Sequence, residues 1–316
     1  MNELLISKKH RFLPDRASLK RLVWGAAGSV ALGGLFAWSI EEHWLRIERR
    51  RMDLPNLGEG LVGARLAHVS DLHACPIVRE KYLRHCVDVV NKLEPDFVAI
   101  SGDFITGPYH YARVVARVLR HLRPRIAVLA CLGNHDYGIC HPNGLGGTRG
   151  LAEYITRQLS HEDVFVMRNE SRLFRHRGAM IQFAGVEDYW SGAFHPAVTH
   201  ELIDPDLPVI GLCHNPDGAR DMVACGSQWV LSGHTHGQAK RDTRIHNALL
   251  PTHHRQLAAG EYRIPGRGRV YVNRGLGYAR RMNINTRPEI TLFTLERATK
   301  RTPAAAEPAE LEAVSV

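Results

Sequence analysis

Short apolar runs that alternate with longer amphipathic segments constrain the fold of this chain more than any other feature. Residues 64–70, 97–101 and 126–132 have the composition of buried strands, and each run ends in polar residues. Between them, residues 79–93 and 111–122 place their apolar positions at helical spacing. A strand, a helix and a second strand at these intervals indicate a parallel α/β arrangement, in which ligands gather at the carboxyl ends of the strands.

The second half of the chain continues with strand-like runs. They occupy residues 164–167, 180–186, 209–213, 229–232, 270–273 and 290–295. So many strands predict two sheets rather than one. The 316 residues, 44% apolar and 23% charged, have a globular composition that fits one large domain with appendages.

The N-terminal region has the pattern of a membrane anchor. Residues 1–21 form a basic segment, and residues 22–40 run nineteen positions without a charge, which is long enough to cross a bilayer once. We expect a single-pass transmembrane helix at 22–40. A cleaved signal peptide, with Ala37 and Ser39 as small residues at the cleavage site, and a buried core helix are the alternatives. Basic residues lie on both sides of the span, so the side of the membrane that carries the main domain stays open.

Residues 41–63 are predicted to be a linker, residues 64–298 the main domain, and residues 299–316, rich in Ala, Pro and Glu, a disordered tail. The formal net charge is +9, but residues 1–51 hold ten Lys or Arg against five Asp or Glu, so +5 of it lies there. The basicity therefore indicates membrane lipid as a partner. Nucleic acid is not expected, because no aromatic-rich basic stripe accompanies the charge.

Polar clusters directly follow the strand-like runs at five places. They are Asp71 with His73, Asp103, Asn134 with His135 and Asp136, His214, and His234 with His236. A single Asp or His after a strand is more often a turn former than a ligand. Five clusters at the strand ends where an α/β sheet builds its site predict one shared functional site.

The donor types in these clusters favour a particular group of metals. Carboxylates, imidazoles and one amide, without thiolates, suit Mn, Fe, Zn or Mg, and Mn is our first choice. The candidate ligands are Asp71, His73, Asp103, Asn134, His214, His234 and His236. They are too many for one ion with an open position and about enough for two divalent ions that share a carboxylate. Two ions about 3.5–4 Å apart would clamp the attacking and leaving oxygens of a phosphoryl displacement.

The same clusters resemble the five signature blocks of the calcineurin-like metallophosphoesterases, in the family's order. The blocks are Ser70-Asp71-Leu72-His73, Gly102-Asp103, Gly133-Asn134-His135-Asp136, His214 and Gly233-His234-Thr235-His236. The resemblance implies a four-layer sandwich of two packed mixed β-sheets flanked by helices. It also implies that Asp71, His73 and His236 hold one metal ion, that Asn134, His214 and His234 hold the other, and that Asp103 bridges them.

His135 is then left off the metals and becomes the candidate catalytic residue. Its place beside a ligand suits proton donation to the leaving oxygen or stabilisation of phosphoryl charge. Asp136 is expected to support the His135 ring from behind, although a helix or turn cap is the alternative for this residue. The nucleophile is expected to be a hydroxide that bridges the two ions.

Within the family, the chain is most similar to a single-span membrane branch that includes UDP-2,3-diacylglucosamine pyrophosphatases of lipid A synthesis. The resemblance lies in the apolar N-terminal segment, in His214-Asn215-Pro216-Asp217, and in Asn273-Arg274-Gly275-Leu276-Gly277. It implies hydrolysis of a phosphodiester or pyrophosphate bond, with a phosphorylated amphiphile or nucleotide-type molecule as the substrate. The alternatives are a nuclease, a phosphatase for soluble nucleotides or phosphoproteins, and a catalytically silent interaction module at the membrane. Four further residues could contact substrate phosphate, and Arg274 is the best candidate among them, although solvated loop residues are the simpler interpretation. The other three are His253, His254 and Arg255.

Overall fold

The computed structural model describes residues 16–39, 44–141, 146–201, 203–237, 257–265, 268–277 and 287–298. The helices within these ranges are α1 (Arg16–Ser39), α2 (Glu80–Lys92), α3 (His110–Leu119), α4 (Leu151–Ser160), α5 (Pro196–His200) and α6 (Ala219–Ala224). The first six strands are β1 (Arg46–Leu54), β2 (Arg65–Val69), β3 (Phe97–Ser101), β4 (Ala127–Cys131), β5 (Val164–Val166) and β6 (Glu170–His176). The others are β7 (Ala179–Gly185), β8 (Val209–Leu212), β9 (Trp229–Ser232), β10 (Gly260–Ile264), β11 (Gly268–Val272) and β12 (Glu289–Arg297).

The strands form two mixed sheets of six strands each. The first has the order β1-β12-β2-β3-β4-β5, and the second β10-β11-β9-β8-β7-β6. In the first sheet β2, β3, β4 and β5 are parallel, and in the second β7, β8, β9 and β11 are parallel. The two predicted sheets are therefore confirmed, and in each the carboxyl ends of these four parallel strands lie on one edge.

Both faces of the central strands are buried, which explains their continuous apolar composition. Along β3, Phe97 and Ala99 belong to a core that contains residues of both sheets, whereas Val98 and Ile100 belong to a core shared with helices α2, α3 and α4. Successive side chains of a strand point to opposite faces, so one strand joins two cores. Phe97 also lies 5.1 Å from Phe183 between the ring centroids, which links the two sheets.

Helices cover the outer face of each sheet. A third core joins α6 to β8, β9 and β11 on the second sheet. Its members include Met222, Val223, Val230 and Val270. The order of layers is helix, sheet, sheet and helix, as the sequence predicted.

The N-terminal residues 1–42 form a unit separate from residues 43–316. Helix α1 begins at Arg16, and its first turns carry Lys20 and Arg21. None of the helices in the described ranges is both long enough and apolar enough to cross a membrane. The predicted transmembrane helix at 22–40 thus has no support from the fold. Residues 1–15 and 40–43 and the predicted tail at 299–316 lie outside the described residues.

Three strands differ from the prediction, and all three lie at sheet edges. β1 runs parallel to β12 inside the region that we expected to be a linker, and it buries Met52 and Leu54. Its charged residues, Arg46 to Arg51, hide this pattern in the sequence. β6 has no fully buried residue, and β10 alternates polar with apolar residues, as half-exposed edge strands do.

Candidate metal centre

All the predicted site residues lie in loops just beyond the carboxyl ends of parallel strands, and the loop after β4 begins with a short 3-10 turn, Asn134–Tyr137. The loops follow β2 (Asp71 and His73), β3 (Asp103), β4 (Asn134, His135 and Asp136), β8 (His214) and β9 (His234 and His236). The first three strands belong to one sheet and the last two to the other. The site is therefore assembled only when the two sheets pack together.

The backbone at this site is strained in a consistent way. A positive φ, which is uncommon for residues other than glycine, occurs at Asp71 (50°), His73 (46°), Asp103 (56°), His234 (72°) and His236 (51°). Each such residue costs on the order of 1–3 kcal/mol and persists only where the surroundings enforce it. Five strained residues at one place indicate that the rest of the fold holds these side chains in position at a cost in stability.

One group of donors comprises Asp71, His73 and His236. Nε2 of His73 lies 3.0 Å from Nε2 of His236, and Oδ1 of Asp71 lies 3.4 Å from the same His236 atom. The distance from Asp71 Oδ1 to His73 Nε2 is 3.7 Å. All three side chains are buried, and their donor atoms lie within 4.8 Å of one another, as those of a shared metal ion would.

Asp103 lies between this group and a second one. Its Oδ2 atom is 3.5 Å from Nε2 of His73 and 3.2 Å from Nε2 of His214. One carboxylate thus reaches an imidazole from each of the two predicted ligand sets. Gly133 allows this approach, since a Cβ atom there would lie 2.8 Å from Cδ2 of His214.

The second group adds Asn134 and His234. Oδ1 of Asn134 lies 2.9 Å from Nδ1 of His234, and Nδ2 of the same amide donates to the backbone oxygen of Ile139. The amide oxygen is therefore the atom directed towards the site. The His214 and His234 rings lie 5.1 Å apart between centroids.

Two histidines are oriented by the nitrogen that faces away from the centre. Nδ1 of His214 donates to the Ser101 backbone oxygen at 2.6 Å, and Nδ1 of His73 lies 2.6 Å from Oγ1 of Thr106. Metal-binding histidines use their second nitrogen in this manner. Nε2 of His214 is buried and faces Oδ2 of Asp103 at 3.2 Å, outside the geometry of a directed hydrogen bond. Three features suit the binding of divalent cations. They are the buried Nε2 atom of His214, the 3.0 Å distance between Nε2 of His73 and Nε2 of His236, and the set of carboxylate, amide and imidazole donors.

The charges at the site reinforce one another. Burial raises the pKa of Asp71 and Asp103, but neighbouring histidines, His236 for Asp71 and His214 for Asp103, hold both values below the ordinary range. Burial lowers the pKa of His214, but the Asp103 carboxylate raises it well above its usual value. The carboxylates therefore stay ionised. A proton and a divalent cation compete for the same imidazole nitrogen, so the bare site should release protons when it binds metal.

His135 lies beside the first group. Its ring centroid is 5.1 Å from that of His73, and its backbone N–H donates to Oδ1 of Asp103 at 2.9 Å. A ring nitrogen of His135 lies within 4.8 Å of donors from His73 and Asp103, so these three residues form a further possible metal-binding group. His135 therefore lies at the edge of the donor cluster, beside both His73 and Asp103.

Asp136 has the contacts of a cap. Its carboxylate accepts hydrogen bonds from the backbone N–H groups of Gly133 and Phe104, each at 2.9 Å. It thereby ties the short 3-10 turn after β4 to the loop after β3. Burial, followed by the nearby Asp103 carboxylate, raises the pKa of Asp136 to about 8. These contacts match the capping alternative, and support of the His135 ring by Asp136 stays a prediction.

The loop after β7 brings up residues that sequence reasoning missed. The Trp190 ring lies edge-on to His234, 4.7 Å between centroids, and Asp188 is buried and accepts a hydrogen bond from the Trp190 backbone N–H. Burial raises the pKa of Asp188 to about 7. Glu187 accepts hydrogen bonds from Tyr137 and from Arg168. The sequence did contain a signal for these residues, because Glu187 and Asp188 directly follow the strand-like run 180–186. The five polar clusters follow their strand-like runs in the same way.

Arg274 is not a solvated loop residue. Its side chain is 14% exposed, and its guanidinium forms an ion pair with the buried carboxylate of Glu289. The other candidates for phosphate contact, His253, His254 and Arg255, lie outside the described residues.

Comparison with known proteins identifies the family of this chain. Residues 64–238 match the family described as Calcineurin-like phosphoesterase. The UDP-2,3-diacylglucosamine pyrophosphatase LpxG of Chlamydia trachomatis is 27% identical over 82% of this chain and 92% of its own length. The phosphodiesterase YaeI of Escherichia coli is 24% identical over 88% of this chain and 99% of its own. Among solved structures, TT1561 of Thermus thermophilus aligns with a TM-score of 0.43 and 13% identity over 67% of this chain and 90% of its own.

The family match, together with the clustered carboxylates and imidazoles, identifies the class of protein as a metallophosphoesterase. The chain belongs to the calcineurin-like phosphoesterase family, and it is a hydrolase that acts on phosphoester bonds. The family depends on a dinuclear metal centre, and this chain has residue clusters suited to hold one.

Proposed function

We propose that this protein hydrolyses a phosphodiester or pyrophosphate bond in a phosphorylated amphiphile of the UDP-2,3-diacylglucosamine type, with two divalent cations, Mn²⁺ first among them. The observation that carries the catalytic part is the position of Asp103 Oδ2 within 3.5 Å of His73 Nε2 and within 3.2 Å of His214 Nε2. A carboxylate that lies between two groups of imidazole donors would suit two divalent cations that share one ligand.

The ligand assignment follows from the two groups. Asp71, His73 and His236 would hold one cation, Asn134, His214 and His234 the other, and Asp103 would contact both. The cations, when bound, supply positive charge for the phosphoryl oxygens and activate water as the nucleophile.

The remaining residues position the substrate and move protons. His135 lies beside the first group and is 9% exposed, so one ring nitrogen can donate a proton to the leaving oxygen. Trp190 packs against His234 and is half-buried, so it restricts access to the second group.

The choice of substrate is supported by similarity and by the N-terminal segment. LpxG of Chlamydia trachomatis, aligned over most of both chains, is named for the hydrolysis of UDP-2,3-diacylglucosamine. YaeI of Escherichia coli, named only as a phosphodiesterase, supports the broader reaction class. The basic residues and the apolar stretch of the N-terminus suit attachment to lipid.

Turnover by the purified full-length chain in mild detergent tests the proposal. Bis-p-nitrophenyl phosphate, p-nitrophenyl phosphate, UDP-2,3-diacylglucosamine and single-stranded DNA are compared with Mn²⁺ present. We expect hydrolysis of the diester and a marked preference for the UDP-lipid, both lost with Asn134→Ala. A preference for DNA or for the monoester would replace the proposed substrate. A protein that binds Mn²⁺ and hydrolyses none of the four would support a silent module instead.

Membrane attachment is a separate part of the proposal. The apolar residues 22–40 and the basic residues before them support it, although no helix in the described ranges is long and apolar enough to cross a bilayer. Carbonate washing of cell membranes, followed by mass spectrometry of the intact chain, separates the possibilities. An uncleaved chain that resists washing fits an anchor, whereas loss of about forty N-terminal residues fits a signal peptide.

A further inference from the structure

Residues 273–277, which follow β11, pack directly behind Asp71. The Gly277 N–H donates to the Asp71 backbone oxygen at 2.6 Å, and the Leu276 N–H donates to the Ser70 oxygen at 2.9 Å. Gly275 has a φ of +78°, and a Cβ atom there would lie 2.6 Å from Cβ of Asp71. The segment therefore contacts Asp71 too closely for any residue but glycine at position 275.

This contact matters because Asp71 has a strained backbone. Its φ is +50°, and rotation to the ordinary region would move its carboxylate relative to His73 and His236. The carboxylate also accepts from the His234 N–H at 3.1 Å and 3.2 Å, so its orientation is fixed from two sides. The Gly277 hydrogen bond holds the backbone, and the His234 hydrogen bond holds the side chain.

An ion pair between the half-buried Arg274 and the buried Glu289 holds residues 273–277 in place. The Glu289 side chain is 1% exposed and accepts hydrogen bonds from Tyr271 at 2.7 Å and from Thr291 at 2.8 Å, in addition to its ion pair with Arg274. The Glu289 N–H donates to the Gly275 oxygen at 3.1 Å. A buried carboxylate is costly unless it is paired and hydrogen-bonded, so Glu289 and Arg274 depend on each other.

Asn273 connects the same segment to both sheets. Its backbone N–H continues the pairing with Ser232 of β9, and its side-chain amide donates to Thr291 of β12 at 3.0 Å. Its side-chain oxygen accepts from the Gly275 N–H at 2.7 Å. The Arg274 stem also passes Gly237, where a Cβ atom would lie 3.0 Å from Cγ of Arg274. The contacts of Asn273 and Arg274 thus also support the loop that carries His236.

We propose that Arg274, Glu289 and Asn273 are positioning residues for the metal ligand Asp71, and that they set the affinity of the cation position formed by Asp71, His73 and His236. The proposal rests on the proposed function, because it assumes that this position binds a cation. It assigns Arg274 to the ligand framework rather than to substrate phosphate.

Titration calorimetry with Mn²⁺ on the metal-free full-length protein tests this assignment. We expect Glu289→Gln and Arg274→Ala to weaken one of the two Mn²⁺ sites about 10- to 100-fold, the range observed when the support of a metal ligand is removed. The other site should keep its wild-type affinity, and raised Mn²⁺ should restore turnover. Arg274→Lys should recover part of the affinity, since the charge near Glu289 is retained.

Glu261→Gln is the matched control. Glu261 is a carboxylate whose side chain is 8% exposed, and it pairs with Arg269 across β10 and β11. The Glu261→Gln substitution should lower thermal stability without changing Mn²⁺ affinity.

Folded Glu289→Gln and Arg274→Ala proteins that bind both ions as tightly as wild type, or in which both sites are weakened equally, would overturn the proposal. Should Glu289→Gln fail to fold, the Arg274→Ala and Arg274→Lys pair decides in the same way. Tight Mn²⁺ binding by a wild type without turnover would overturn the proposed function alone and leave this comparison intact.

Discussion

Oδ2 of Asp103 lies 3.2 Å from Nε2 of His214, and this contact joins a loop of the first sheet to a loop of the second. Both side chains are buried, and each shifts the pKa of the other towards its charged form. The pair sits where the two ligand groups meet. Its chemistry therefore depends on the packing of the sheets as well as on the residues themselves.

Replacing Asp103 with Asn should abolish catalysis without unfolding the protein. The amide keeps the shape of the carboxylate but removes the charge that two cations would share, so we expect turnover to fall by more than about a hundredfold. Turnover and bound metal, measured by elemental analysis, check the result. Asp53→Asn is the control, because Asp53 is a partly exposed carboxylate on β1 that pairs with Arg269. Normal metal content and normal turnover in Asp103→Asn would contradict a bridging role.

His135→Ala should lower turnover by a factor that depends on how good the leaving group of the substrate is. If His135 donates a proton to the leaving oxygen, a substrate with a poor leaving group should lose about 10²- to 10⁴-fold, and an aryl ester with a good leaving group much less. Metal content should stay at two ions per chain. His85→Ala, an exposed histidine on α2, serves as the control. Equal losses for all substrates together with a loss of bound metal would point to a ligand role for His135.

The site could be predicted because its residues end strongly apolar strands. Asp71, Asp103 and His214 each follow a run that is buried on both faces, so strand ends and polar clusters were visible together. The loop after β7 was missed although it has the same form, since Glu187 and Asp188 belong to none of the family blocks that were recognised. A rule applied to every strand end would have included them.

The remaining features depend on long-range packing. β1 was expected to be a linker because its arginines resemble the flank of a membrane span, and only pairing with β12 shows its Met52 to be buried. The partner of Arg274 lies fifteen residues away across a segment outside the described ranges. Nothing local in the sequence identifies Glu289 as that partner, nor does the sequence report a positive φ at Asp71.

Trp190 should report metal binding at the second group. Its ring is edge-on to His234, so Mn²⁺ bound there should quench its fluorescence, and Trp190→Phe should remove most of the quenching. Phe keeps an aromatic contact, whereas Trp190→Ala loses one worth about 0.5–1.5 kcal/mol and should weaken metal binding up to about tenfold. Trp229→Phe, which alters a core residue, is the control. Unchanged quenching in Trp190→Phe would show that the signal arises elsewhere.

Asp188 should make the stability of the metal-free protein depend on pH. Burial raises its pKa from 3.8 to about 7 in the folded state. Between these two pH values the Asp188 carboxyl is therefore protonated in the folded protein and ionised in the unfolded chain. The free energy of unfolding should therefore fall as pH rises from about 4 to about 7. Above about pH 7 the destabilisation caused by Asp188 should stay constant. Asp188→Asn removes the ionisation and can still accept from the Trp190 N–H, so its stability relative to wild type should increase across the same window. Urea unfolding of both metal-free proteins at pH 4.5, 6 and 7.5 measures the difference, and a difference that is flat or shrinks with pH would contradict a protonated Asp188.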